Sequence, residues 1–184
     1  YCKMLNASVR GLNGESRKVD FTTTVELEAD AFIPPSYIVN EQQKLDIYKR
    51  IAGVENAGES ADMKEELLDR FGEVPVSVDN LLRIALIRVR AHSLYVTEVK
   101  GRGGELKFLL RPDAMLQVEY IPAFLRHYGS CLTFNAKGTP YFLYRYKKCG
   151  VVEKDAQNLI ALTEELLRDM EKYLAFGEAD VSAR

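Results

Sequence analysis

The sequence predicts an α+β domain, a small antiparallel sheet with hairpins packed against a cluster of helices and followed by a long C-terminal helix. Three observations predict it. Residues 19–27 alternate apolar and polar side chains, residues 40–94 carry three amphipathic helical patterns in succession, and the period returns to two across 95–146 before a last helical stretch. With 184 residues, 47% hydrophobic and 28% charged, the chain has the composition of a folded domain and the length to bury a sizeable core.

Met4, Leu5 and Val9 share one side of a short helical pattern that ends before Gly11, and a polar stretch runs on to Lys18. Residues 1–18 are therefore expected to be the end of an entering helix and a linker. The opening Tyr1-Cys2-Lys3-Met4-Leu5, without an initiator Met, reads as a piece of a longer polypeptide. Val19, Phe21, Thr23, Val25 and Leu27 then alternate with Asp20, Thr22, Thr24 and Glu26, the pattern of a strand with one drier face. Pro34 and Pro35 disfavour helix just before them, and Phe32, Ile33, Tyr37 and Ile38 press this loop onto a core.

Asn40 with Gln43 three residues later reads as a capping box. It opens a helix with Leu45, Tyr48, Ile51 and Ala52 on its stripe and Gly53 at its weakened end. Ser60 is the expected cap of a second helix, which carries Met63, Leu67 and Phe71 and stops at Gly72. Pro75 sits near the start of a third, with Val78, Leu81, Leu82, Ala85, Leu86 and Val89 inside it and its end at about Leu94. Residues 95–100 and 105–110 read as strands about the turn 101–104. Residues 112–128 fit either a strand through Val118 and Tyr120 or a short helix through Ile121, Phe124 and Leu125. Leu132 and Phe134 pair with Tyr141, Leu143 and Arg145 as a second hairpin. From 154 to 173 a helix presents Leu159, Leu162, Leu166 and Met170, widened by Ile160, Leu167 and Tyr173. The domain body is expected to span 19–176, with 177–184 as a frayed tail.

The chain is poor in catalytic chemistry. Cys2, Cys131 and Cys149 form no CxxC pair, and with only His92 and His127 beside them no metal-ligand spacing is present. Gly101-Arg102-Gly103-Gly104 lacks the Gly-Lys-Ser or Gly-Lys-Thr of a phosphate loop, so a hairpin turn is expected. His92 lies near Arg88 and Arg90 at a helix end, His127 lies beside Tyr128, and neither has an acid or thiol partner at an activating spacing. Lys147 and Lys148 precede Cys149, but no base accompanies it, so an incidental thiol is expected. Catalytic, cofactor-binding and metal-binding residues are all expected to be absent. No apolar run approaches the roughly 20 residues that cross a bilayer, which suggests the cell interior and no membrane partner.

Surface chemistry is richer. Asp62, Glu66 and Asp69 recur at helical spacing, so they share one face while Met63, Leu67 and Phe71 form another. Such a face is either simply solvated or offers charge to a basic surface. Arg83, Arg88, Arg90, Lys147 and Lys148 support a DNA-contacting alternative if they cluster, although 25 basic against 27 acidic residues gives a net charge of −2 and no general pull toward a polyanion. Ten tyrosines suit protein contact.

Three ordered phrases carry a family resemblance: Phe32-Ile33-Pro34-Pro35-Ser36-Tyr37-Ile38, the run from Gln43 to Ala52, and the run from Lys64 through Asp69-Arg70-Phe71-Gly72 to Pro75. They resemble the C-terminal domain of bacterial transcription-repair coupling factors, the Mfd family, over residues 18–92, and the resemblance thins across both hairpins. It implies a cytoplasmic bacterial parent, an ATP- and Mg-dependent DNA translocase that displaces stalled RNA polymerase and recruits UvrA for nucleotide-excision repair. The motor, its duplex DNA contact and a UvrB-like module would all lie upstream. The C-terminal domain would be non-catalytic and without a cofactor, docking on the UvrB-like module, masking the UvrA-binding surface and restraining the motor. The resemblance assigns the docking contact to Glu66 and Asp69, with Asp62 and Arg70 at its rim and Leu67, Phe71, Tyr48 and Pro75 as structural support.

Overall fold

Branched and aromatic runs separated by glycine-containing turns build a five-stranded sheet, and the amphipathic runs build helices that pack partly on the sheet and partly on one another. The structure, a computed structural model, describes residues 21–175. The expected linker 1–18 and tail 177–184 lie outside the described residues. The strands are β1 (Thr24–Leu27), β2 (Val96–Arg102), β3 (Glu105–Leu110), β4 (Leu132–Asn135) and β5 (Tyr141–Arg145), in the spatial order β1-β2-β3-β5-β4. Both expected hairpins are present and antiparallel. β1 adds a parallel edge to them, with Thr24 opposite Glu98 and Leu27 opposite Gly101. Its long helical crossover permits that direction, which a hairpin turn does not. Gly103 and Gly104, at φ 62° and 84°, make the left-handed turn between β2 and β3.

Helix α1 (Glu41–Ala52) is capped as expected, Asn40 Oδ1 accepting from the Gln43 amide at 3.0 Å. Its buried residues are Ile47 and Ile51, whereas Leu45 is 52% exposed and Ala52 is also exposed. Leu45 had the right spacing but the wrong phase, which is set instead by the two isoleucines and by the Ile33 amide bonded to the Tyr48 hydroxyl. Helix α2 (Ala57–Phe71) starts earlier than Ser60: Asn56 Oδ1 accepts from the Glu59 amide at 2.9 Å while the Glu59 carboxylate returns to the Glu55 amide at 2.8 Å. Helix α3 (Val76–Ser93) follows Pro75, whose carbonyl accepts from the amides of Val78 and Asp79.

The ambiguous stretch 112–128 resolves as a 3-10 turn (Val118–Tyr120) and helix α4 (Ile121–Tyr128). Phe124 is the reason: its ring, fully buried, meets Phe142 edge-on at 5.3 Å and fixes the helix over the sheet. Helix α5 (Val152–Met170) continues into a π turn (Glu171–Ala175) that buries Tyr173 and Leu174. No helix among the described residues is long and apolar enough to cross a membrane.

Two hydrophobic cores result, and α3 belongs to both. Val78, Leu82 and Ala85 face a helical cluster with Ile33, Ile38, Ile47, Ile51, Met63 and Leu67. One turn later Ile87 and Ala91 enter the sheet core with Val99, Phe108, Phe124, Phe142 and Leu167. That change of partner explains why Leu81, Leu86 and Val89, expected inside, are only half-buried: the buried stripe turns round the helix as its neighbours change.

Candidate docking face on helix α2

Helix α2 is pinned from beneath and along both flanks. Leu67 is fully buried, and Met63 one turn earlier is nearly so. Phe71 is half-buried: its ring tilts against Tyr37 at 5.8 Å and lies under the Arg70 guanidinium at 4.9 Å. The Tyr37 hydroxyl donates to the Gly72 carbonyl at 2.9 Å and lies 3.1 Å from that of Leu67, tying the proline loop to the helix end. On the α3 side, Lys64 pairs with Asp79 at 2.9 Å. On the α1 side, Arg50 grips the Glu66 carboxylate with both terminal nitrogens, and Arg70 reaches the same carboxylate at 3.2 Å. The Arg50 hydrogen bonds hold Glu66 below the ordinary carboxylate range, against the opposing effect of burial and with smaller help from Arg70. All three side chains are a third to a half exposed, so solvent screens the cluster.

The crest of α2 carries Asp62, Glu65 and Asp69, all exposed and without an ion pair among the described residues. At roughly 100° per residue these three fall within about 60° of arc, and Glu66 lies about 60° round from Asp69 toward α1. Leu68 on α2 (54% exposed) and Val76 at the start of α3 (64%) are exposed large apolar side chains. Asp62 and Asp69 are thus brought together, whereas Glu66 joins them from the flank with its charge already met. Arg50 is the residue that sequence reasoning missed. The Glu66–Arg70 pair is visible as an i, i+4 spacing, but Arg50 is brought to Glu66 only by the packing of α1 against α2.

The remaining candidates resolve individually. Tyr48 and Pro75 act through the hydrogen bonds already described. Arg83 is taken up by Glu164 and Gln157 of α5, Arg88 by the Ala52 carbonyl and Lys148 by Glu28, so three of the five basic candidates already face partners within the domain. His92 donates from Nε2 to the Phe21 carbonyl at 2.9 Å. His127 does have an acid neighbour, contrary to expectation: Asp169 Oδ2 lies 3.6 Å from its Nε2 and also accepts from the Tyr128 hydroxyl. The packing of α4 on α5 brings that carboxylate in from 42 residues away. Burial and this bond push the Tyr128 phenol well above its ordinary range. Cys131 and Cys149 are exposed and free. Among the described residues no group of three or more His, Cys, Asp or Glu is placed to hold a metal.

The TRCF domain family matches residues 27–121, spanning the proline loop, α1, α2, α3 and the first hairpin. The chain belongs to that family. A transcription-repair-coupling factor of Staphylococcus epidermidis is 38% identical over 117 residues, which is 62% of this chain and 10% of the relative. That of Bacillus subtilis is 30% identical over 120 residues, 65% of this chain and again 10% of the relative. The chain thus spans about a tenth of the length of these relatives. A crystal structure of the C-terminal domain of a transcription-repair coupling factor superposes with a TM-score of 0.66 at 24% identity, covering 85% of this chain and 98% of that one. The shared fold therefore reaches beyond the region of sequence match and takes in the sheet. Family, relatives and fold together make this TRCF domain a non-catalytic regulatory and interaction domain of the coupling-factor type.

Proposed function

We propose that this TRCF domain, with 19–176 as its folded unit, docks through the crest of α2 on a UvrB-like module of its parent, masks the UvrA-binding surface there and restrains the motor. The observation that carries the reading is the placement of Asp62 and Asp69, without ion-pair partners among the described residues, on a helix whose opposite face is locked by Leu67. Carboxylates held in fixed positions on a rigid helix give register and selectivity against a basic surface while leaving net affinity modest. A reversible clamp needs that balance. Glu66 adds a control, because any basic group of the module has to compete for it with Arg50 and Arg70. In this reading ATP, Mg, duplex DNA and stalled RNA polymerase are handled by other parts of the parent.

The test is to titrate the chain with the UvrB-like module and, separately, with duplex DNA at near-physiological salt. Binding to the module alone supports docking. Binding to DNA with a steep salt dependence, and not to the module, replaces it with the DNA-contacting reading.

A further inference from the structure

None of the four residues of β1 is buried; its positions alternate between exposed and half-buried. Val25 and Leu27 pack against the margin of the sheet core but neither is buried, and an edge strand paired on one side only, in the weaker parallel direction, has a limited hold of its own. Its anchors lie on either side.

Before β1, the Phe21 ring stacks on His92 with centroids 4.2 Å apart and planes within 15°. The Arg111 guanidinium sits 4.8 Å from the same ring, oriented by two bonds to Asp113 at 2.7 and 2.8 Å. The Phe21 carbonyl accepts from His92, and the buried Thr23 hydroxyl donates to the Val96 carbonyl at 2.7 Å. After β1, the Glu28 amide donates to the Gly101 carbonyl at 2.9 Å, and its carboxylate accepts from the Gly103 amide at 3.1 Å and from Lys148 at 3.3 Å. Two residues on, the Asp30 carbonyl accepts from the buried Asn80 side chain at 2.9 Å, and Ile33 then enters the helical cluster.

We propose that β1 is a strap, a strand that seats and unseats as one unit. A latch at Phe21 and a weaker one at Glu28 hold it, and it leads on to Asn80 and the helical cluster. Units of this kind open at a free energy below that of global unfolding. The Phe21 latch dominates because it combines ring stacking, a cation over the ring and a carbonyl bond, whereas the Glu28 ion pair is exposed and screened. Unseating frees Asp30 from Asn80 and bares the outer edge of β2. This inference stands whether or not the α2 crest docks.

Residue-resolved amide exchange on the 184-residue chain tests it. In Phe21→Ala the β1 amides exchange about tenfold faster or more, and in Glu28→Gln roughly twofold to threefold faster, while β3 and β5 keep wild-type protection. His92→Ala, which leaves Phe21 in place, produces an intermediate acceleration confined to β1. Wild-type exchange of β1 in both Phe21→Ala and His92→Ala, or an equal acceleration of β1, β3 and β5, overturns the proposal.

Discussion

The helical cluster and the sheet bury apolar surface by different means. The cluster is aliphatic, with Tyr37, Tyr48 and Phe71 half-buried at its rim, where the two tyrosine hydroxyls tie the proline loop to α2 and α1. The sheet core is aromatic at its centre: Phe108, Phe124 and Phe142 are fully buried, and Phe124 also packs on Tyr128 and Tyr173. The larger, aromatic core of the sheet is therefore expected to carry more of the stability than the smaller aliphatic core of the helical cluster. The phrases that carry the family resemblance all lie in the cluster and supply much of its core, including Ile33, Ile38, Ile47, Ile51 and Leu67.

Substitutions can break or sharpen this contrast. Phe124→Ala removes a ring at the junction of α4, the sheet and the π turn and should cost about 3 to 5 kcal/mol, read from denaturant unfolding. Leu67→Ala should cost roughly 2 to 4 kcal/mol, a figure drawn from the range for buried leucines. If Leu67→Ala proves the costlier of the two, the ranking of the cores is wrong. Gly101→Ala probes the seam between β1 and α5, because an added Cβ lands 2.8 Å from Leu159 Cδ1 and 2.9 Å from Leu27 Cδ2. Both atoms end movable side chains, so a loss of about 1 to 2 kcal/mol is expected, and an unchanged midpoint would show slack at the seam.

The smallest effect on stability belongs to Arg50→Gln, within about 0.5 kcal/mol at neutral pH, because the pair is solvent-screened. Its signature is in titration. Arg50 lowers the folded-state pKa of Glu66, so the stabilisation is present above the unfolded value and is lost as pH falls through the folded one. In Arg50→Gln the Glu66 carboxyl should titrate at higher pH, followed by its carbon chemical shift. An unmoved titration would mean that Arg50 does not hold it.

What the sequence made legible was local. Asn40 with Gln43, the hairpin turns, the helix stop at Gly72 and the stripe of Met63 and Leu67 all follow from spacing within a few residues. The start of α2 was equally local, since Asn56 with Glu59 satisfies the capping pattern better than Ser60 does. Other features arise only when distant segments meet. The parallel partner of β1 lies across the whole helical cluster, and the phase of α1 depends on which side Ile47 and Ile51 find covered. The grip of Arg50 on Glu66 and the approach of Asp169 to His127 are of the same kind. For the candidate face, spacing placed Asp62, Glu66 and Asp69 on one side of α2, while helix packing decided that Glu66 is already matched and Asp69 is not.

The most direct measurement is the affinity of UvrA for the full-length parent protein, compared between wild type and the Glu66→Ala/Asp69→Ala double variant. Docking through α2 predicts tighter UvrA binding by the variant, whose masked surface is released, with the melting of the isolated chain little changed. Equal affinities for the two proteins would contradict it.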